Sequence, residues 1–260
     1  MTRNRFVMNL TWELKNLFRF PFPEILLALF TYMVFLPHMG MYSSSFDLEN
    51  LVWQRITYNL AFVSTQRGAR YSVSAYLPMA ILASIFATLA FAYEIENGLM
   101  KVHLSHPTSR RAIFLSKFLS CFLIVFTTLS CSLLFFTFLD IPENALHLII
   151  NSHLTLGVLL VAALETFFIV TLTVSFSIFS KKASVSLVGS FAAVYIIQLL
   201  SETANLTFLP PTSFYGQVYF LFSRVGPKLS GLPDFLVIPF VSTFLAIISY
   251  VYFSRRLELT

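Results

Sequence analysis

Long apolar segments separated by more polar ones dominate the sequence. Six of these segments are long enough to cross about 30 Å of hydrocarbon, which takes roughly 20 residues in a helix. They lie at Glu24–Tyr42, Tyr76–Tyr93, Ile113–Leu139, His153–Phe179, Ser184–Ser201 and Phe235–Phe253. Numbered spans one to six, they predict an all-α integral membrane protein.

The segment ahead of span one, residues 1–23, has a different pattern. Phe6, Leu10, Leu14 and Leu17 recur at helical spacing on one side, and basic and polar residues lie largely opposite them. A basic amphipathic helix of this kind typically lies in the membrane interface. We therefore expect an N-terminal interfacial helix.

Two loops between the spans are long. The first, Ser43–Ala75, contains apolar residues at helical spacing that suit the outer membrane surface. The second, residues 202–234, is rich in Pro, Gly and aromatic residues, and its central stretch Ser213–Ser223 is apolar but too short to span. A re-entrant or interfacial extracellular hairpin between spans five and six fits this pattern best.

Composition agrees with a membrane protein. Hydrophobic residues make up 57% of the chain and charged residues 11%, whereas a soluble domain carries charge on about 25% of its positions. The net charge is +5, but the basic residues lie between apolar segments. We therefore interpret them as topological signals beside membrane lipid, and we expect no nucleic-acid partner.

The distribution of Lys and Arg predicts the orientation. If both termini are cytoplasmic, the inside segments hold most of the 17 basic residues: Arg3, Arg5, Lys15, Arg19, Lys101, Arg110, Arg111, Lys117, Lys181, Lys182, Arg255 and Arg256. The outside loop Asp140–Ser152 then has none, as the positive-inside rule predicts. We expect a multi-pass protein of the plasma membrane with both termini in the cytoplasm.

The loop between spans two and three contains the most informative polar motif. Its distinctive residues, in order, are Glu94, Glu96, Gly98, Ser105, Pro107, Ser109, Arg110 and Lys117. Ser105 or Thr108 is a candidate N-cap for the helix that follows. On composition alone this segment is a solvated inside loop with basic anchors, although a short helix here also offers a charged surface to a cytosolic partner.

This motif resembles that of the type-2 ATP-binding-cassette (ABC-2) exporter permeases. Their pattern is Glu-x-Glu-x-Gly-Thr, a Leu-rich turn, Ser-x-Pro-x-Ser-Arg, and a Lys that opens the third span. Leu99 stands in place of the usual Thr, and Ser116 stands where a Gly often precedes the Lys. The order of interfacial helix, six spans and outside hairpin is also similar, so the resemblance covers residues 1–260 as one permease domain.

The resemblance implies a division of labour between subunits. The permease forms the transport path, and a separate cytosolic ATPase, expected in two copies, binds ATP and Mg. The sequence has no Gly-x-x-x-x-Gly-Lys-Ser/Thr phosphate loop, so we expect no catalytic residue and no cofactor in this chain. A second permease subunit, identical or different, faces the first across the path.

The resemblance also implies where the ATPase acts. Residues 94–112 form the cytoplasmic coupling loop that receives the ATPase stroke, with the motif residues as its site. The N-terminal helix is the second contact. Arg110 and Lys117 are expected to be electrostatic anchors at the inner face.

Glu165 is a carboxylate near the middle of predicted span four. A charge at mid-bilayer costs at least about 2.5 kcal/mol, so this side chain should face protein or water. It is a candidate for lining the pathway or linking transport to protons, and equally for a hydrogen-bonded packing residue beside Thr166 and Thr171. Glu165 also raises the alternative of an ATP-independent carrier or intramembrane enzyme.

The residues raise two further possibilities. The chain could be a non-catalytic membrane anchor or assembly subunit, which predicts recruitment of partners without transport. His103 and His106 have a spacing that suits a metal, but no carboxylate or Cys completes a site at characteristic spacing, so we expect no metal.

Overall fold

The computed structural model describes residues 2–18, 24–26, 28–29, 76–105, 109–140, 153–203 and 232–256. Within these residues the chain forms helices joined by turns, without strands, which confirms the predicted all-α class. Span one is described only at residues 24–26 and 28–29, which are helical. The remainder of span one, the loop 43–75 and most of the predicted hairpin lie outside the described residues.

Five helices in the described part are long and apolar enough to cross a membrane, and they match predicted spans two to six. Span two is Tyr76–Glu96, span three Arg110–Asp140, span four His153–Ser180, span five Ala183–Thr203 and span six Leu232–Arg256. Two further helices flank them: the N-terminal helix, Thr2–Leu17, and the loop helix, Leu99–Ser105.

Span four is the centre of the bundle. It packs against spans two, three, five and six, and the buried apolar side chains of these helices form one continuous core. Spans two, three and four are mostly buried, whereas spans five and six are mostly exposed. Their exposed apolar side chains suit contact with lipid or with another membrane subunit, because both surroundings are apolar.

The small residues of span two lie inside this bundle. Ala80, Ala83, Ser84, Ala87 and Thr88 are all buried, so span two approaches its neighbours closely. Small side chains permit such approach between membrane helices, where van der Waals packing replaces the hydrophobic drive of water-soluble proteins. The face that they form packs within the subunit.

Span two changes its helical geometry before it ends. Tyr76–Ala87 is α-helical, Thr88–Tyr93 is a π-helix, and Glu94–Glu96 returns to the α form. A π segment rotates the residues after it relative to an unbroken α-helix, and such segments often occur at functional sites. The residues that this segment orients are the first acids of the loop motif.

The elements that contain the sequence motif lie together at one end of the bundle. The loop helix, the turn at residues 181–182, the beginning of span three and the end of span six meet there, and the N-terminal helix packs against span three. We call this the loop end. The basic residues that we expect in the cytoplasm, where described, belong to these same elements.

Candidate functional site

A buried ion cluster lies at the loop end. The Lys117 ammonium is completely inaccessible to solvent and lies 2.7 Å from Oε1 of Glu13 and 2.6 Å from Oε1 of Glu94. The three residues come from the N-terminal helix, the end of span two and span three. One cation therefore holds three separate elements together, and we call this group the Lys117 cluster.

Glu13 is the member of the cluster that sequence reasoning missed. It is buried on the same side of the N-terminal helix as Leu14 and Leu17, which pack against the core. A signal was present, because Glu13 occupies an apolar position of an otherwise amphipathic pattern. Its partner was not visible, because Lys117 is more than a hundred residues away along the chain.

The side chain of Lys117 lies inside the protein. It is fully buried and donates a hydrogen bond to Oε1 of Glu94. Burial raises the pKa of the Glu13 carboxyl above its ordinary value, and the Lys117 ammonium opposes that rise. The ionised form of Glu13 thus depends on Lys117, because a buried charge is tolerated only when it is paired.

The loop helix is fastened to the cluster through His103. The Nε2 atom of His103 lies 3.7 Å from Oε2 of Glu94, and its ring lies 5.1 Å from the Trp12 ring of the N-terminal helix. Among the described residues, His, Cys, Asp and Glu side chains do not gather in groups of three or more that could hold a metal ion. Through its contacts with Glu94 and Trp12, His103 joins the loop helix to the end of span two and to the N-terminal helix. His106 lies outside the described part.

The turn into the loop helix is made by Gly98. Its φ of +71° lies in the left-handed region, which residues with a Cβ adopt at a cost of roughly 1–2 kcal/mol. This conformation ends span two and starts Leu99–Ser105 in a new direction. The positive φ required at this turn explains why the sequence motif has a Gly at position 98.

Span three begins with a different cap from the one expected. The Ser109 hydroxyl accepts a hydrogen bond of 3.2 Å from the backbone N–H of Ala112, so Ser109 is the N-cap. Ser105 cannot fill that role, because it ends the loop helix and its hydroxyl donates back to the Val102 carbonyl at 2.7 Å. Thr108 and Pro107 lie outside the described residues.

Glu96 connects the loop to span five. Its Oε2 accepts a hydrogen bond of 2.8 Å from the backbone N–H of Ala183, the first residue of that helix. A carboxylate is favourable there, because the first N–H groups of a helix lack intrahelical partners and carry partial positive charge. Span four reverses into span five through Lys181, whose φ is +56°.

Arg110 connects span three to span six. Its guanidinium donates a hydrogen bond of 2.8 Å to the backbone carbonyl of Ser254, near the end of that helix. A cation is favourable at this position, since the last carbonyls of a helix are unpaired and partially negative. The loop motif thus contacts span five through an acid and span six through a base.

Hydroxyl groups join the spans inside the bundle near the loop end. The Thr88 hydroxyl at the start of the π segment lies 2.8 Å from that of Ser186 in span five, which donates to Ser177 of span four at 2.7 Å. Ser249 of span six donates to Ser175 at 2.7 Å. These bonds connect span four to spans five and six, and span five to span two, without any charge.

The outer side of the loop helix carries exposed apolar residues. Val102 is 58% exposed and Leu99 is 45% exposed, whereas Met100 on the opposite side is fully buried. The Lys117 cluster and Met100 hold the inner side of the loop against the bundle. A surface with both apolar side chains and charge remains available to another protein.

Glu165 lies apart from all of these residues. Its side chain is fully buried in span four. Neither carboxylate oxygen has a hydrogen-bond partner among the described residues. The expected neighbours Thr166 and Thr171 are buried too, but their hydroxyl oxygens also have no partner in that part of the chain.

Comparison with known proteins identifies the family of this chain. A family model described as ABC-2 family transporter protein matches residues 24–256, nearly the whole chain. No curated protein and no solved structure matches. The match spans all five described membrane helices and the loop motif, and on this ground the chain belongs to the ABC-2 family of transporter proteins as a multi-pass membrane permease.

Proposed function

We propose that this permease exports its substrate using ATP that is hydrolysed by a separate cytosolic ATPase subunit, and that the coupling loop 94–112 receives the stroke of that subunit. The observation that supports this most is the Lys117 cluster. It fastens the loop to span three and to the N-terminal helix, and a force applied to the loop therefore reaches the bundle directly.

The loop end has two parts. One is the surface that would contact the ATPase, which we call the receiving surface. The other is the set of contacts that would pass a movement of the loop to the spans, which we call the transmitting contacts. Leu99 and Val102 are exposed on the receiving side. Glu96 and Arg110 are the transmitting contacts, to span five and span six respectively. Because each contact involves backbone at a helix end, displacement of the loop pulls on whole helices rather than on single side chains.

The transporter that we propose contains two permease subunits and two ATPase subunits. Spans five and six contribute little to the core of this subunit and expose apolar side chains such as Phe240 and Phe244. A membrane face of this kind suits lipid and a second permease, identical or different. The loop end is then the cytoplasmic side, as the distribution of Lys and Arg predicts.

Substitution of Val102 tests the receiving surface. We expect Val102→Asp to weaken association with the ATPase subunit by about tenfold or more, the effect of losing roughly 1.4 kcal/mol at an interface. The variant should insert and fold normally, because Val102 is exposed. The measurement is the amount of a phosphate-loop ATPase that co-purifies with the tagged permease from native membranes under gentle extraction.

The matched control is Val102→Thr, which keeps the shape of the side chain without adding a charge. It should retain most of the bound ATPase. Equal recovery of ATPase with Val102→Asp and with the unaltered chain would contradict the assignment of this surface.

A further inference from the structure

Glu165 is buried at a depth from which its side chain cannot reach water. At about 1.5 Å per residue, it lies about 22 Å along the helix from Ser180 and about 18 Å from His153. Its neighbours on the same face of span four, Ala162, Phe168 and Ile169, are also buried. The carboxyl group is therefore enclosed by protein within the bundle.

In the described helices, few titratable side chains lie near this position. Tyr76 of span two interacts electrostatically with the Glu165 carboxyl. Between their end regions the other helices that pack on span four contain no Lys, Arg, His, Asp or Glu: residues 118–139 of span three, 184–201 of span five and 235–254 of span six. Their titratable side chains are the thiols of Cys121 and Cys131 and the phenols of Tyr195, Tyr250 and Tyr252.

Among the described residues, no group compensates the charge of an ionised Glu165 carboxylate. Burying an unpaired charge costs far more than burying a neutral polar group, and such groups take up a proton instead. A bound metal cation would need several oxygen ligands around both carboxylate oxygens. In the described part of the chain, Glu165 belongs to no group of His, Cys, Asp and Glu side chains that could hold a metal ion, so the observations favour a proton over a metal cation.

We propose that Glu165 is a proton-binding site of the permease, occupied in this conformation and emptied when the spans around it separate. Binding forms the O–H bond of a neutral carboxylic acid. Release transfers that proton to water that enters the opened bundle and leaves a hydrated carboxylate. The equilibrium between closed and open bundles therefore depends on pH, and it does so independently of the ATPase.

The occupied state is tested on the full-length permease in lipid nanodiscs at neutral pH. Infrared spectroscopy should show the carbonyl stretch of a protonated carboxylic acid that is absent from Glu165→Gln and present in Glu96→Gln, whose substituted carboxylate is exposed. Dicyclohexylcarbodiimide, which modifies protonated carboxyls in apolar surroundings, should label the peptide that contains Glu165. Absence of both signals overturns the proposal, and so does protection from labelling by NaCl or KCl, which indicates a bound cation.

The release step is tested by the pH dependence of conformation without any ATPase. Spin labels at Val185→Cys and Ile247→Cys, with Cys121 and Cys131 replaced by Ala, report the separation of spans five and six. Raising the pH should increase the ratio of open to closed labelled protein by up to tenfold per pH unit, the limit for one proton. The same protein with Glu165→Gln should show no such dependence.

Two outcomes would overturn this part of the proposal. One is a distance distribution that does not change with pH in the parent protein. The other is the same pH dependence with and without Glu165→Gln. Glu165→Gln is expected to fold, since the amide has the shape and neutrality of the protonated acid, so failure of this variant to fold would also count against the proposal.

Discussion

Replacement of Lys117 by Met is expected to destabilise the protein by about 3–5 kcal/mol, the range observed when one partner of a buried ion pair is removed. The substitution leaves Glu13 and Glu94 buried side by side without their cation. Folded proteins have total stabilities of only about 5–15 kcal/mol, so the loss is a large fraction of the whole. The measurement is the thermal unfolding midpoint in detergent, together with the yield of folded protein.

Lys182→Met is the matched control, because Lys182 is an exposed lysine at the same end of the bundle. It should unfold at nearly the temperature of the unaltered chain. A second comparison isolates the ion pair: Glu94→Gln added to Lys117→Met should cost less than the sum of the two single changes, since the residues are in direct contact. Equal midpoints for Lys117→Met and Lys182→Met would contradict the structural role of the cluster.

Replacement of Glu96 by Ala is expected to leave the fold and ATP hydrolysis intact but to abolish the ATP-driven movement of span five. Glu96 is exposed, so its loss costs little stability, and its one hydrogen bond in the described part joins the loop to Ala183. Without that bond, displacement of the loop no longer pulls on the first turn of span five. The measurement is the ATP-dependent change in distance between spin labels at Val185→Cys and Ile247→Cys, with Cys121 and Cys131 replaced by Ala, in the complex with the ATPase.

Glu96→Gln is the control for this prediction. Its side-chain oxygen can still accept the bond from Ala183, so most of the ATP-dependent change should remain. If Glu96→Ala shows the same distance change as the unaltered complex, the stroke reaches span five by another route. Glu96 would then not have the transmitting function that we infer from its hydrogen bond to Ala183.

The spans could be predicted from sequence because their cause is local. About 20 consecutive apolar residues make a membrane helix the favourable outcome wherever they occur, and predicted spans two to six begin and end within three residues of the observed helices at each end. The positions of Glu94, Glu96 and Gly98 in the loop also follow from the motif itself.

The partners of these residues could not be predicted in the same way, because they depend on how distant helices pack. Nothing near Lys117 in the sequence indicates Glu13 as its partner, and nothing near Glu96 indicates the backbone of Ala183. Which serine caps span three depends on where the loop helix ends. Because that helix ends at Ser105, Ser109 is the cap. The π segment before Glu94 had no recognised sequence signal at all.

The claim that the loop is the docking surface of an ATPase can be tested by site-specific photo-crosslinking in native membranes. A photoreactive amino acid at Val102, and at the exposed Ile247 of span six as the control, is activated and the adducts are identified by mass spectrometry. We predict a cytosolic protein with a phosphate loop crosslinked at Val102 and only lipid or another permease at Ile247. Absence of an ATPase adduct at Val102, with the ATPase still present in the membranes, would contradict coupling through this loop.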